Sequence, residues 1–194
     1  IALHPHDART TEDLLKFSDT AMYQAKQAGR NTARFFTAQM NIDALARSDL
    51  ETALRKAIKN EELVLHYQPK VDLKTGRVSG LECLLRWQRP GRGLVPPNEF
   101  IPILEATGLI VPVGTWVIAT VCKQISAWQR TTVGPRQVSV NLSARQLVEG
   151  DLDGDVGRAL ADAGISGELL ELELTEGSLM ANTELMMARL KSLK

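Results

Sequence analysis

The chain has 194 residues, 44% of them hydrophobic and 24% charged, enough apolar material for one buried domain or one domain plus part of another. Lys+Arg and Asp+Glu both total 23, so no net field recruits DNA, RNA or an anionic membrane, and an aromatic content of 5% offers no stacking platform for single-stranded nucleic acid. Cys83 and Cys122 stand far apart in apolar runs, which matches reduced core thiols rather than a disulfide framework or a zinc site.

Ile1-Ala2-Leu3 leads straight into the turn residues His4-Pro5-His6-Asp7, and the last residues form helix with no Gly or Pro to stop them, a pattern expected of a segment of something longer. No charged leader opens the chain, and no apolar run reaches the roughly 18 residues of a membrane span. His4 and His6 lack a third ligand nearby and read as turn residues rather than a metal clip, and His66 reads as a satisfied or surface imidazole. A first helix is expected after Thr10 or Thr11, with Glu12 and Asp13 in its opening turn, Leu14, Leu15, Met22 and Ala25 at helical spacing, and Gly29 as its stop. Ser48 and Glu51 make a capping-box pattern for a second helix carrying Leu50, Leu54 and Ile58, so a new unit is expected to begin near Ser48.

Strand and helix signals then alternate. Strands are expected at 63–67 and 77–87, helices at 98–106 and 111–130, a strand at 137–143, a helix within 152–163, a strand at 169–176, and a final helix through Met186, Leu190 and Leu193. The expected fold class is α/β, with a parallel sheet covered by helices and either closed as a barrel or open and doubly wound. The apolar helix around Trp116, Val117, Val121 and Ile125 is assigned to the core rather than to a partner surface.

Three strands carry a polar stripe. Extended backbone places Glu82, Leu84 and Arg86 on one face and Leu81, Cys83, Leu85 and Trp87 on the other. Likewise Gln137, Ser139, Asn141 and Ser143 oppose Val138, Val140 and Leu142, and Glu171, Glu173 and Thr175 oppose Leu170, Leu172 and Leu174. Such faces occur where one side of an antiparallel sheet meets solvent. Helical crossovers favour instead a covered sheet whose polar residues point into a site at the strand C-terminal ends. In that second case Glu82, Asn141 and Glu173 offer two carboxylates and an amide oxygen, hard donors suited to Mg²⁺ or Mn²⁺, and Arg86 offers a forked donor for a phosphate.

From about Ser48 to Lys194 the sequence resembles the N-terminal part of an EAL domain, the phosphodiesterase of cyclic di-GMP. The resemblance rests on Tyr67-Gln68-Pro69, Glu82-Cys83-Leu84-Leu85-Arg86-Trp87, Pro97-Asn98-Glu99-Phe100-Ile101-Pro102, Asn141-Leu142-Ser143 and Glu171-Leu172-Glu173-Leu174-Thr175-Glu176, in family order. Cys83 stands where Ala is usual; lying opposite Glu82, it is expected to change packing and leave the chemistry intact. The resemblance implies an incomplete TIM-like (β/α) barrel, with Glu82, Asn141 and Glu173 as metal ligands, Glu82 acting in catalysis through the metal, and Gln68, Leu84 and Arg86 as contacts to the dinucleotide. Glu171 and Glu176 receive no role and read as surface or supporting acids.

In the family a pair of divalent metals activates water for in-line attack on one phosphodiester bond, opening the ring to linear pGpG. The family's paired aspartates, catalytic lysine and general base fall after Lys194, so this chain alone is expected to be inactive. A catalytically inactive EAL domain serving as a cyclic di-GMP receptor is the alternative; lost ligands would mark it, and none is lost at the positions present.

Residues 1–40 resemble the C-terminal tail of a GGDEF domain, the diguanylate cyclase module, through Ala2-Leu3-His4-Pro5 and the run from Asp19-Thr20-Ala21-Met22-Tyr23 to Gly29-Arg30-Asn31. In that family the positions matching Lys26 and Arg30 contact GTP phosphates; here they are remnants of such contacts or solvated cations. The expected plan is a GGDEF tail at 1–40, a connector with the first EAL helix at 41–60, and the N-terminal part of an EAL domain at 61–194. The resemblance points to a bacterial signalling protein of the cytoplasm, compatible with an inner-membrane anchor ahead of the chain and with a homodimer through the EAL domain.

Overall fold

The structure, a computed structural model, describes residues 1–27, 29, 31–131, 137–174 and 191. It divides into two compact units, Ile1–Ala53 and Leu54–Lys194. The expected final helix through Met186, Leu190 and Leu193 lies outside the described residues, as do Arg30, Thr175 and Glu176.

In the first unit, helix α1 (Thr11–Gln27) begins where the Thr10 hydroxyl accepts the Asp13 N–H at 3.1 Å and donates to the Asp13 carboxylate at 2.7 Å. One orphan N–H of the first turn is thereby satisfied, and the capping hydroxyl is itself held by a side-chain carboxylate. Ala21 and Ala25 are buried, whereas Leu15 and Met22, at the same helical spacing, are exposed. The Phe17 ring stacks on Phe36 with centroids 4.2 Å apart. Helix α2 (Ala38–Ala57) starts after Thr37, whose hydroxyl accepts the Met40 N–H at 3.4 Å.

Ser48 is therefore a mid-helix residue and not the cap its spacing to Glu51 suggests; its carbonyl accepts the Thr52 hydroxyl at 2.9 Å. Strong helix formers from Ala38 to Arg47 carry the helix ten residues further upstream, and a capping pair acts only where the chain ahead of it is not already helical.

The second unit is built on a sheet in the order β1-β2-β4-β5, with β3 beside β2. Strands β1 (Leu63–Val71) and β2 (Val78–Arg89) form an antiparallel hairpin, with Leu63 opposite Trp87, Gln68 opposite Glu82 and Lys70 opposite Gly80. At its turn the Asp72 carboxylate accepts the N–H groups of Lys74 and Thr75 at 2.9 and 2.8 Å. β3 (Gly93–Val95) also runs antiparallel to β2, while β2 with β4 (Val138–Leu142) and β4 with β5 (Leu170–Leu174) are parallel. The sheet is mixed where alternating signals suggested a parallel one, because the connection from β1 to β2 is far too short for the helical crossover that parallel neighbours need. β1 also runs past the expected end at residue 67, since Pro69, which lacks an N–H, sits on a strand paired only with β2 among the described residues.

Helices α3 (Pro97–Thr107), α4 (Ile110–Gln129), α5 (Ala144–Glu149) and α6 (Leu152–Ala163) complete the unit. Gly108, at φ +78°, caps α3 in the left-handed conformation that lets α4 follow directly. Cys83, Trp87, Val138, Val140 and Leu142 are all buried on the apolar face of the sheet. Leu142 packs with Ile118, Cys122, Leu147, Leu152 and Ala159, and the Trp87 ring meets Phe100 edge-on at 5.9 Å. α4 is long and apolar enough to cross a membrane by composition, which the sequence estimate of apolar runs missed. Here Val113, Val117, Ile118, Val121, Cys122 and Ile125 are buried and the Thr115 hydroxyl donates to Asp155 of α6 at 2.6 Å, so it serves as the core helix expected around Val117, Val121 and Ile125.

Candidate functional site

Alternation along the strands, read with the observed register, assembles one polar face. Glu82, Leu84 and Arg86 of β2 share it with Gln68 and Lys70 of β1, Ser139 and Asn141 of β4, and Glu171 and Glu173 of β5. The register pairs Gln68 with Glu82, Glu82 with Ser139, Ser139 with Glu171, and Asn141 with Glu173. His66 lies on this face too and is exposed.

The face is concave. β1 and β5 are three strand steps apart, roughly 14 Å in a flat sheet at about 4.8 Å per strand, a gap that side chains standing perpendicular to a flat sheet do not close. Yet the Lys70 ammonium contacts Glu173 and, at 3.2 Å, Glu171. The sheet has therefore curled until its first and last strands face each other across an interior.

Within that interior the Asn141 amide nitrogen donates to Glu82 Oε1 at 2.8 Å, leaving its oxygen as the remaining acceptor. Asn141 is held at this height because Ser143, two residues on, starts α5 with a complete capping box: its hydroxyl accepts from the backbone while the Gln146 side chain accepts the Ser143 N–H at 3.0 Å. The Ser143 hydroxyl donates to Glu105 at 2.8 Å, tying the strand end to α3.

Lys70 holds the Glu173 carboxyl below the usual carboxylate range, and Glu173 first, with Glu171 behind it, holds the Lys70 ammonium above its own. Ser139 is 1% exposed, and its hydroxyl, although it faces Glu173 and helps lower its pKa, reaches no partner in hydrogen-bond geometry. Arg86, half-buried, lays its guanidinium back on the strand, donating to the Leu85 carbonyl at 2.9 Å. Cys83 lies on the opposite, apolar face at 4% exposure, where burial pushes its thiol up to about 12.

Every candidate on β1, β2, β4 and β5 thus falls on one concave surface: Glu82, Asn141 and Glu173 on adjacent strands, and Gln68, Leu84 and Arg86 around Glu82. Two carboxylates and an amide oxygen suit a hard divalent cation. Among the described residues no group of three or more His, Cys, Asp or Glu is poised for a metal. Lys26 lies in the other unit, exposed in the last turn of α1. Sequence reasoning missed Lys70 as a member of the face and left Ser139 and Glu171, both placed on it, without a role; the signal for Lys70 was its position two residues after Gln68.

A family model described as EAL domain matches residues 51–194. The chain belongs to the EAL domain family. An Escherichia coli relative, the cyclic di-GMP phosphodiesterase PdeR, is 42% identical over 185 residues, covering 95% of this chain and 28% of that protein. The bifunctional diguanylate cyclase/cyclic di-GMP phosphodiesterase MucR of Pseudomonas aeruginosa is 40% identical over 193 residues, covering 100% of this chain and 28% of its own length. Among solved structures, the MucR phosphodiesterase in complex with c-di-GMP matches with a TM-score of 0.71 at 39% identity, over 75% of this chain and 59% of that one. This EAL chain therefore spans about a quarter of the length of the curated relatives it matches.

Proposed function

We propose that the intact protein containing this chain hydrolyses cyclic di-GMP to linear pGpG, with Glu82, Asn141 and Glu173 holding a divalent metal, Mg²⁺ or Mn²⁺, and Gln68, Leu84 and Arg86 meeting the dinucleotide. The observation that carries this reading is the placement of Asn141, bonded to Glu82 on one side at 2.8 Å and in register with Glu173 on the other. The names of the relatives PdeR and MucR support the substrate.

A bound divalent metal supplies a water of lowered pKa and neutralises phosphate charge. The residues of this chain hold and orient. Asn141 fixes the Glu82 carboxylate through its amide N–H, and the capping box at Ser143 fixes Asn141 in turn. Arg86, two residues beyond Leu84 on the same face, presents a planar fork that matches a phosphate's oxygens. The test is turnover of cyclic di-GMP by the intact protein with Mn²⁺, read as pGpG by chromatography. Glu82→Gln and Asn141→Ala are each expected to lower the rate by about 100-fold or more, at least the upper range for a disturbed metal shell. Wild-type turnover in Glu82→Gln, with the same metal requirement, refutes the assignment.

We also infer that residues 1–40 are the C-terminal tail of a GGDEF domain, 41–60 a connector with the first EAL helix and 61–194 the N-terminal part of the EAL domain, in a protein acting in the cytoplasm. Alignment of the whole chain with the bifunctional MucR supports this plan, and Lys26 stands where the family it resembles contacts GTP phosphate. Arg30, its companion in that resemblance, lies outside the described residues. A structure of the intact protein in which residues 1–40 belong to another kind of domain overturns it.

A further inference from the structure

Lys70 is a cation that the reading above leaves without a task. It stands opposite Gly80, which presents no side chain to obstruct it, and its ammonium crosses the interior of the curled sheet to β5. There it touches two acids that alternate on one strand face: Glu173, assigned to the metal, and Glu171, assigned to nothing. Glu82 faces the same interior from β2. Without a cation among them these carboxylates repel one another, and Lys70 supplies the positive charge.

A divalent ion and an ammonium cannot both sit against Glu173 without strong mutual repulsion, so one must yield. Glu171 gives the ammonium a place to go that keeps its charge paired inside the sheet, which a long retreat into an unpaired interior position would not. Ser139 adds a second, independent sign. It is in register with Glu171 and 1% exposed, and its hydroxyl, although near Glu173, makes no hydrogen bond of good geometry, so it is free to accept one from an ammonium that moves toward Glu171.

We propose that Lys70 is a positioning residue for the metal site: an internal counter-ion that occupies Glu173 when the divalent ion is absent and withdraws to Glu171, with the Ser139 hydroxyl as a further acceptor, when the ion is bound. The inference rests on the assignment of Glu173 as a ligand. It makes metal affinity the outcome of a competition in which Lys70 opposes the metal and Glu171 favours it by drawing Lys70 away. It also gives Lys70 a second effect, that of keeping the metal-free interior from being forced open by its own acids.

The test measures Mn²⁺ affinity of the intact protein by titration calorimetry, or from the resonance signal of free Mn²⁺, together with thermal unfolding in the presence and absence of the ion. Lys70→Gln is expected to bind Mn²⁺ roughly tenfold more tightly, within the range by which residues behind a metal's ligands tune it. The same variant is expected to melt lower without metal and to gain more from adding it. Glu171→Gln is expected to bind Mn²⁺ more weakly by a similar factor, because the ammonium then stays on Glu173. A folded Lys70→Gln protein with unchanged or weaker affinity overturns the proposal. If that variant does not fold, Glu171→Gln decides, and affinity equal to or tighter than wild type overturns it. Glu173→Gln separates the two layers of inference. Loss of Mn²⁺ binding upholds the ligand assignment whatever Lys70 does, and binding indifferent to Glu173→Gln removes both.

Discussion

Gly114→Ala is expected to destabilise the protein by about 2–4 kcal/mol, although alanine is favoured over glycine by about 1 kcal/mol in a helix interior. The reason lies in a close approach between α4 and α5: a Cβ on Gly114 would stand 1.8 Å from Gln146 Nε2 and 2.5 Å from its Cδ. Gly114 is buried within α4 and Gln146 is 5% exposed, so neither group can turn to solvent. Displacing Gln146 removes the acceptor of the Ser143 N–H and opens the capping box. A lost cap is worth about 1 kcal/mol, an unpaired buried polar group about 1–3, and overpacking about 1–3, which together outweigh the propensity gain. At roughly 2–4 °C per kcal/mol for a chain of this size, the melting temperature falls by about 5–15 °C. Thermal unfolding of the wild type, Gly114→Ala, Gln146→Ala and the double variant checks the mechanism. Truncating Gln146 clears the obstruction, so in that background the same glycine-to-alanine step reverses sign and stabilises by up to about 1 kcal/mol. A neutral Gly114→Ala, or the same cost in both backgrounds, refutes the packing argument.

Two further outcomes follow from buried groups on the apolar side of the sheet. The Trp87 indole donates to Glu62 at 3.0 Å, and this bond, followed by one from Asn60, holds the Glu62 carboxyl below its ordinary 4.5. A depressed folded pKa contributes stability above the unfolded value that is lost as pH falls through the folded one. Acid unfolding monitored by tryptophan fluorescence should therefore show sensitivity below pH 4.5 that Glu62→Gln flattens, the effect being modest because Glu62 is partly solvated, and identical acid limbs would remove the bond from the account. Burial pushes the Cys83 thiol up to about 12 and the Cys122 thiol up to about 11, so neither is a thiolate near neutrality. Ellman's reagent is expected to label neither in the native protein and both on unfolding; labelling of the native protein at the rate of a free thiol contradicts their place in the core.

The polar stripes on β2, β4 and β5 were legible because a period of two is the strongest constraint a half-buried strand imposes, and the buried Cys83, Trp87, Val138, Val140 and Leu142 lie on the faces that alternation assigns to the core. β1 was legible only to residue 67. Pro69 reads locally as a break, and its tolerance depends on the strand lying beside β2 alone among the described residues, which no local pattern reveals. Lys70 was lost from the site for the same reason. The hairpin had a visible signal in Asp72 and Gly76, with too few residues between the strands for a helix, yet the alternation elsewhere outweighed it. α5 was announced by Ser143 and Gln146 at capping-box spacing, hidden because Ser143 also completed the polar stripe of β4.

Chemistry and stability are divided between opposite faces of the same strands, and this decides what site variants can show. On β2, Glu82 faces the interior while Cys83 and Trp87, which alternation places on the opposite face, are 4% and 0% exposed. On β4, Asn141 is exposed while Val140 and Leu142 are 3% exposed each. Substituting Glu82 or Asn141 removes a donor from the concave face and leaves the apolar contacts untouched, so such variants should fold and report on ligation alone. Lys70 is the exception, because its ion pairs join β1 to β5 across the interior and so belong to the shape of the sheet as well as to its charge. For that reason a change in Mn²⁺ affinity in Lys70→Gln has meaning only beside the metal-free melting temperature. A tighter metal site in a less stable protein is the combination that competition for Glu173 requires, and loss of sheet geometry alone would weaken both together.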